Sequence, residues 1–134
     1  MLRAPTTRRR ANTSANSPGA TVSETQLVRA VLDTLHAQRV WCWRVNAGLT
    51  VFGAATGSAR RVVNGAPKGT PDIIGVVPGS RGRLFGIECK SPTGKQNPNQ
   101  KAWEQKATNH GVRYGLARSV SDAVALLVAW QLDR

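Results

Sequence analysis

Residues 68–90 constrain the fold of this chain more than any other stretch, because they hold two apolar runs of strand length on either side of a turn. The runs are Ile73–Val77 and Leu84–Ile87, and their β-branched and aromatic residues favour strands. Gly79-Ser80-Arg81-Gly82 lies between them and is typical of a tight connection. The stretch therefore predicts an antiparallel β-hairpin.

Three charged residues lie at one end of this predicted hairpin. Asp72 begins the first strand, and Glu88 and Lys90 end the second. Residues two apart on a strand point to the same face, so Glu88 and Lys90 project together, and antiparallel pairing brings Asp72 towards Glu88. Buried charges are costly unless they are paired or bind a metal, so the cluster indicates a functional site. A surface ion pair between Glu88 and Lys90 is the simpler alternative.

The chemistry available to this cluster is that of a hard metal ion. Two facing carboxylates, Asp72 and Glu88, suit Mg²⁺ or Mn²⁺ better than zinc or copper, and the backbone carbonyl of Cys89 could complete the inner shell. A metal held in this way activates water for phosphodiester hydrolysis. Lys90 could contact the attacking water or the charge of the transition state.

Charge and composition point to a polyanionic partner. The chain has 134 residues, a size typical of one domain, and a formal net charge of +12. This charge favours nucleic acid first and an anionic membrane surface second. No apolar run is long enough to span a bilayer, and no secretory signal is present. Cys42 and Cys89 lie in apolar strand patterns and suit the core of a protein in a reducing compartment, while the two separated histidines exclude a zinc site.

The first twenty residues differ from the rest of the chain. They contain four arginines, no acidic residue, and many small polar residues and prolines. This composition predicts a disordered basic tail over residues 1–20 and a folded domain over 21–134. The tail could be a solvated leader, a non-specific arm that binds phosphates, or both.

Helix caps and periodicity order the remaining elements. We expect a helix from the Ser23/Gln26 capping box, a strand over 40–46, a glycine-rich excursion over 47–67, a helix capped at Asn97, a strand over 112–117 and a last helix capped at Ser119. Short strands are expected within the excursion at Leu49–Phe52 and Arg61–Val63. With the hairpin included, this order predicts an α/β domain in which a mixed central sheet is flanked by helices.

Two residues outside the hairpin could join the cluster. Glu24 falls on the inward stripe of the first helix and could reach the metal shell directly or through water. It could also simply favour the positive end of the helix dipole. Gln100, early in the second helix, could hold the water or fix Lys90.

Basic and polar residues near the cluster are candidates for contacts with DNA phosphates. They are Arg44, Asn46, Arg60, Arg61, Lys68 and Lys95. Arg44 and Asn46 could instead brace the acidic cluster or be solvated at the end of a strand. The long loop that carries Arg60 and Arg61 is favoured as a DNA contact over a plain surface connection.

These residues together resemble a known family. Gly69-Thr70-Pro71-Asp72, fifteen further residues, Glu88-Cys89-Lys90 and a later Gln100 resemble the PD-(D/E)XK nuclease superfamily. Within that superfamily the pattern is similar to the virus-type replication-repair nuclease (VRR-NUC) domain. The resemblance covers roughly residues 22–128 and implies a restriction-endonuclease-like core.

The resemblance also implies an activity. It suggests a Mg²⁺-dependent DNA endonuclease, with Mn²⁺ as a substitute and no small-molecule cofactor, that acts on junction, branched or flap DNA. Asp72 and Glu88 would be metal ligands, Lys90 the catalytic lysine, Glu24 an accessory acid and Gln100 a supporting polar residue. A phage or bacterial protein of this kind would act in the cytoplasm, with no membrane partner, and a homodimer could cut two strands. A restriction-type or nicking nuclease and a non-catalytic DNA-binding protein are the alternatives.

Overall fold

The structure is a computed structural model that describes residues 22–52 and 61–133. The predictions for the tail over residues 1–20 and for Arg60 lie outside the described residues, as does the side chain of Arg61. The helices are α1 (Glu24–Ala37), α2 (Pro98–Asn109) and α3 (Val120–Leu132). The strands are β1 (Cys42–Arg44), β2 (Leu49–Phe52), β3 (Arg61–Asn64), β4 (Ile73–Val76), β5 (Leu84–Cys89) and β6 (Arg113–Ala117).

A four-stranded sheet in the order β1-β4-β5-β6 forms the centre of the protein. The β1–β4 and β4–β5 pairs are antiparallel, and β5–β6 is parallel. The parallel pair requires a crossover, which α2 supplies. The predicted mixed sheet flanked by helices is therefore confirmed. Strands β2 and β3 pair with each other as a separate antiparallel ribbon.

The helix caps predicted from the sequence are present. Ser23 and Gln26 form a reciprocal capping box at the start of α1. Asn97 and Gln100 form a second one at the start of α2, with Pro98 in the first turn. Ser119 caps α3 by accepting a hydrogen bond from the backbone N–H of Asp122. Each box satisfies backbone donors that a helix leaves free at its N-terminus, which fixes where the helix begins.

The two faces of the sheet are covered by different helices. On one face Phe85 stacks on Trp130 of α3 at 5.5 Å between ring centroids, and the core continues into α1 through Leu35. On the other face Trp103 of α2 packs against Tyr114 at 5.9 Å. We call this second face the α2 face. Strand β5 is consequently buried on both sides, apart from Leu84 at its start.

The two cysteines are core residues, as the sequence predicts. Cys42 and Cys89 are both buried and free. Burial raises the pKa of the Cys42 thiol to about 11 and that of Cys89 to about 12, with the negative charge of Asp72 adding to the effect at Cys89. Both thiols therefore stay protonated and unreactive at neutral pH.

Two details differ from the sequence analysis. The strand expected over 40–46 is shorter, since only Cys42–Arg44 pairs as a regular strand. Helical spacing from Gln100, Trp103 and Ala107 predicts that His110 also faces inward, but His110 is exposed, because α2 ends at Asn109 and His110 is its C-cap residue. Among the described residues no helix has the length and apolar character needed to cross a bilayer.

Candidate active site

Asp72 and Glu88 face each other across the β4–β5 hairpin. Ile73 pairs with Ile87, and the next pair outward in the same antiparallel register is Asp72 with Glu88. The backbone N–H of Cys89 donates to Asp72 Oδ2 at 2.8 Å, which fixes the aspartate at the end of the sheet. The structure thus brings the two predicted acids together on the α2 face.

Glu88 is nearly inaccessible to solvent, with only 4% of its surface exposed. Its Oε2 lies 3.7 Å from Lys90 Nζ and accepts a hydrogen bond from Gln100 Nε2 at 2.9 Å. Its Oε1 is buried without a hydrogen-bond partner. A carboxylate oxygen left in this state is costly, because a buried charge needs a compensating partner.

The surroundings of Glu88 favour its neutral form. The pKa of Glu88 is raised from 4.5 to about 8, mostly by burial and next by the negative charge of Asp72. The ammonium of Lys90 acts in the opposite direction but does not compensate. Without an additional positive charge, Glu88 therefore holds its proton at neutral pH.

The residues present fit a divalent cation. The unpartnered Glu88 Oε1 and the neighbouring Asp72 carboxylate are hard oxygen donors at one point, and they repel each other unless a positive charge lies between them. Among residues 22–52 and 61–133, no group of three His, Cys, Asp or Glu side chains is close enough to hold a metal. A cation here would take its other ligands from backbone carbonyls, such as that of Cys89, and from water.

Glu24 reaches the cluster from α1, although the residue as a whole is exposed and does not point into the core. Its Oε2 accepts a hydrogen bond from the backbone N–H of Ser91 at 3.1 Å, just beyond Lys90. Its negative charge also contributes to the raised pKa of Glu88. Glu24 thus lies at the edge of the site.

The first turn of α2 orients Gln100. Its side-chain Oε1 accepts from the backbone N–H of Asn97, so its Nε2 is turned towards Glu88 and donates to it. The helix cap and the site contact are therefore made by one side chain. Gly69 (φ +90°) lies against the same turn, and a Cβ there would be 2.2 Å from the carbonyl oxygen of Asn99. Only glycine allows this close approach.

A cleft of about 450 Å³ opens beside the two acids. Arg44, Asn46 and Lys68 line it together with Asp72 and Glu88. Three of the predicted DNA-contacting residues are therefore at the site, while Lys95 is exposed on the loop before α2.

Arg118 is a residue at the site that the sequence analysis did not select. Its Nη1 donates to the carbonyl oxygens of Ser91 at 2.6 Å and Gly94 at 2.7 Å. The loop that accepts from Arg118 is the one whose Ser91 N–H binds Glu24. The only signal in the sequence is the position of Arg118 directly after β6, whose parallel pairing with β5 brings both strand ends together.

The chain was compared with protein families, curated proteins and solved structures. The family model described as the VRR-NUC domain matches residues 22–121. This range includes α1, the central hairpin, α2, β6 and the start of α3. Neither a curated protein nor a solved structure matches the chain.

Proposed function

Since the chain belongs to the VRR-NUC domain family, whose members are nucleases of the replication-repair type, we propose that it is a divalent-metal-dependent DNA endonuclease that cuts branched, junction or flap DNA. The observation that carries this proposal is Glu88, a buried carboxylate with one unpartnered oxygen, held between Asp72 and Lys90. These surroundings destabilise the ionised form of Glu88, so the arrangement is not explained by a contribution to the stability of the fold.

We propose that Asp72 and Glu88 hold Mg²⁺ or Mn²⁺, with the Cys89 carbonyl beside them. Such an ion, when bound, supplies a Lewis acid and lowers the pKa of a coordinated water. Glu88 must release its proton to become a ligand, which couples metal affinity to pH. Gln100 keeps Glu88 Oε2 fixed, so that Oε1 is the free ligand atom.

Lys90 and the first turn of α2 are suited to the phosphate. The Lys90 ammonium is held beside Glu88, where it can contact a non-bridging oxygen or the attacking water as charge develops. Asn97, Asn99 and Gln100 line the cleft, so the N-terminus of α2 opens onto it. A helix N-terminus favours an anionic phosphate through its dipole.

DNA is the proposed partner, and its phosphates account for the basic charge. The net charge of +12 supplies non-specific affinity that weakens as salt is added. Arg44 and Lys68 at the cleft would place the backbone near Asp72. We also propose a homodimer, since a single cleft cuts one strand and a junction offers two.

The test is a comparison of DNA substrates. The purified protein is incubated with a four-way junction, a flap and a linear duplex of matched sequence, each with Mg²⁺, Mn²⁺ or EDTA. We expect cleavage of the branched substrates in either metal and none in EDTA. No cleavage of any substrate would leave a non-catalytic DNA-binding protein, and equal cleavage of duplex would indicate a restriction-type or nicking enzyme.

Two lysine variants test whether the cleavage is catalysed by this protein and not by a contaminating nuclease. Lys90→Ala removes the ammonium beside Glu88 and should abolish cleavage while DNA binding is largely kept. Lys101→Ala removes the same charge from an exposed position on α2 and should cut at the wild-type rate. Cleavage by Lys90→Ala at the wild-type rate would exclude Lys90 from the reaction.

A further inference from the structure

Two tryptophans lie beside the site on the same face of the sheet. Trp43 pairs with Ile74 in the register of β1 and β4, and Ile74 pairs with Gly86 in the register of β4 and β5. Gly86 is on the α2 face, because a Cβ there would be 3.5 Å from the ring of Trp103. The cross-strand row that begins at Trp43 therefore belongs to the α2 face.

The acidic pair lies on the next row of that face. The N–H of Val45 donates to the carbonyl of Asp72, so Val45, Asp72 and Glu88 follow Trp43 by two residues along the strands. Two residues of a strand span roughly 7 Å. Trp43 is thus a diagonal neighbour of Asp72, which lines the cleft.

The tryptophans are exposed where apolar side chains are normally covered. Trp41 is 71% exposed and Trp43 41% exposed, and their rings contact each other at 5.3 Å between centroids. Helix α2 packs on β6 and, through Trp103, lies over Gly86 of β5. Much of the aromatic surface of the two rings is therefore uncovered.

We propose that Trp41 and Trp43 form a stacking platform for an unpaired nucleobase of the DNA strand that passes through the cleft. The inference rests on the proposed function, because it takes DNA to be the substrate and adds which part of it is recognised. A base exposes its π face only where it is unpaired or extruded, as at a flap, a junction or a single-stranded end. The platform therefore favours DNA with an unpaired segment over plain duplex.

The charge of the surrounding surface favours DNA over another ligand of the tryptophan pair. Sites for single-stranded nucleic acid combine aromatic side chains with a cationic groove that follows the backbone. Here Arg44 and Lys68 line the cleft together with Asp72, the diagonal neighbour of Trp43. A second copy of the chain has 7 acidic residues against 19 basic ones, so it offers this basic surface less negative charge than a DNA backbone does.

The test measures the contribution of the bases without cleavage. In EDTA, fluorescence anisotropy gives the affinity for a hairpin duplex with a single-stranded extension, and for the same molecule with abasic residues in the extension. We expect wild-type protein to bind the base-bearing extension at least about fivefold more tightly. Trp41→Ala and Trp43→Ala should lose this difference, while Trp43→Phe should retain part of it.

A matched control is Leu132→Ala, since Leu132 is a large exposed apolar residue on α3, at 77% exposure. It should keep the wild-type preference for bases. Circular dichroism spectra test whether each variant is folded. We expect the tryptophan variants to be folded, because both tryptophans are exposed. A wild-type protein that binds both extensions equally would overturn the proposal.

Sedimentation velocity separates this proposal from self-association. If Trp43→Ala changes the sedimentation coefficient but leaves the preference for bases intact, the pair is an interface between copies and the proposal is wrong. The assay also distinguishes failure of the nuclease proposal. If the protein cuts no DNA but shows a tryptophan-dependent preference for bases, the nuclease proposal fails and the stacking platform stands. If it cuts DNA without such a preference, the nuclease proposal stands and the stacking platform fails.

Discussion

The two halves of the α2 face depart from ordinary protein surfaces in opposite directions. Where α2 covers the sheet, the buried residues include Glu88 and Lys90, whose side chains are ionisable. Where the sheet is open, Trp41 and Trp43 are exposed. Folded proteins usually bury tryptophan and leave glutamate and lysine in water. Neither half is explained by stability, so the boundary between them is where we expect function.

The opposite face of the same sheet shows where the stability comes from. Leu35, Ile73, Phe85 and Ile87 are fully buried between the sheet and the helices α1 and α3. Burial of one such side chain contributes roughly 1.5–3 kcal/mol. This core can offset the cost of a polar site on the other face. Changes on the α2 face should therefore alter activity far more than stability.

The largest expected effect is the loss of cleavage when an acid is neutralised. Asp72→Asn and Glu88→Gln should each slow single-turnover cleavage at least about a thousandfold, which is roughly 4 kcal/mol of activation free energy. The free energy of unfolding in EDTA should fall little or rise, because the amide is neutral and keeps the shape of the side chain. Asp33→Asn, an exposed acid on α1, is the control. Wild-type rates in either variant would remove that carboxylate from the site.

The next effect is on the pH dependence of stability without metal. The folded state raises the pKa of Glu88 from 4.5 to about 8, mainly by burial, so it binds a proton that the unfolded chain has released. This contribution is complete below pH 4.5 and is lost as the pH rises to 8, at up to about 1.4 kcal/mol per pH unit.

Urea unfolding in EDTA across that pH range measures this term. The wild-type protein should lose stability as the pH rises from 4.5 to 8, and Glu88→Gln should show a flatter profile because its amide does not titrate. Identical slopes for the two proteins would mean that Glu88 is ionised in the folded state. Burial would then not keep Glu88 neutral, and the contrast between the two halves of the α2 face would be lost.

A smaller effect is expected from Arg118, which we propose as a positioning residue. Arg118→Met should slow cleavage about tenfold, because the loop that carries Ser91 is no longer held and Glu24 loses its orientation. DNA affinity should change little, and Arg118→Lys should recover part of the rate. A loss of affinity at an unchanged single-turnover rate would make Arg118 a DNA contact instead.

The smallest effect should be on stability in the open half. Trp41→Ser removes a ring that is mostly in water, so the free energy of unfolding should change by no more than about 0.5 kcal/mol. Trp130→Ala, in the core against Phe85, should lose about 3–5 kcal/mol in the same measurement. Comparable losses would show that the exposed tryptophans belong to the structural core.

The parts of the site that the sequence could predict are those set by local rules. Strand alternation and hairpin pairing place Asp72 opposite Glu88, and capping boxes fix the starts of α1 and α2. The position of Gln100 could be predicted in the same way, because its role in the capping box also fixes where it lies. The order of the elements follows from these boundaries.

What could not be predicted depends on contacts between distant parts of the chain. Arg118 reaches Ser91 only because β6 pairs in parallel with β5, which no local pattern reveals. The exposure of Trp41 and Trp43 could not be predicted either. A strand rich in tryptophan is typical of a buried core, and the position of α2 must be known before these side chains can be placed. Periodicity misplaced His110 because the helix ended one residue earlier.

The parallel pairing of β5 with β6 has a consequence for the order in which the protein is made. The ribosome releases Asp72, Glu88 and Lys90 well before Arg118, and the loop between them is held only once β6 has docked. A nascent or truncated chain that stops before residue 118 would carry every acid of the site but not its final arrangement. Such a chain would lack both Arg118 and α3, so the acidic cluster reaches the arrangement seen here only after the residues that follow β6 have been made.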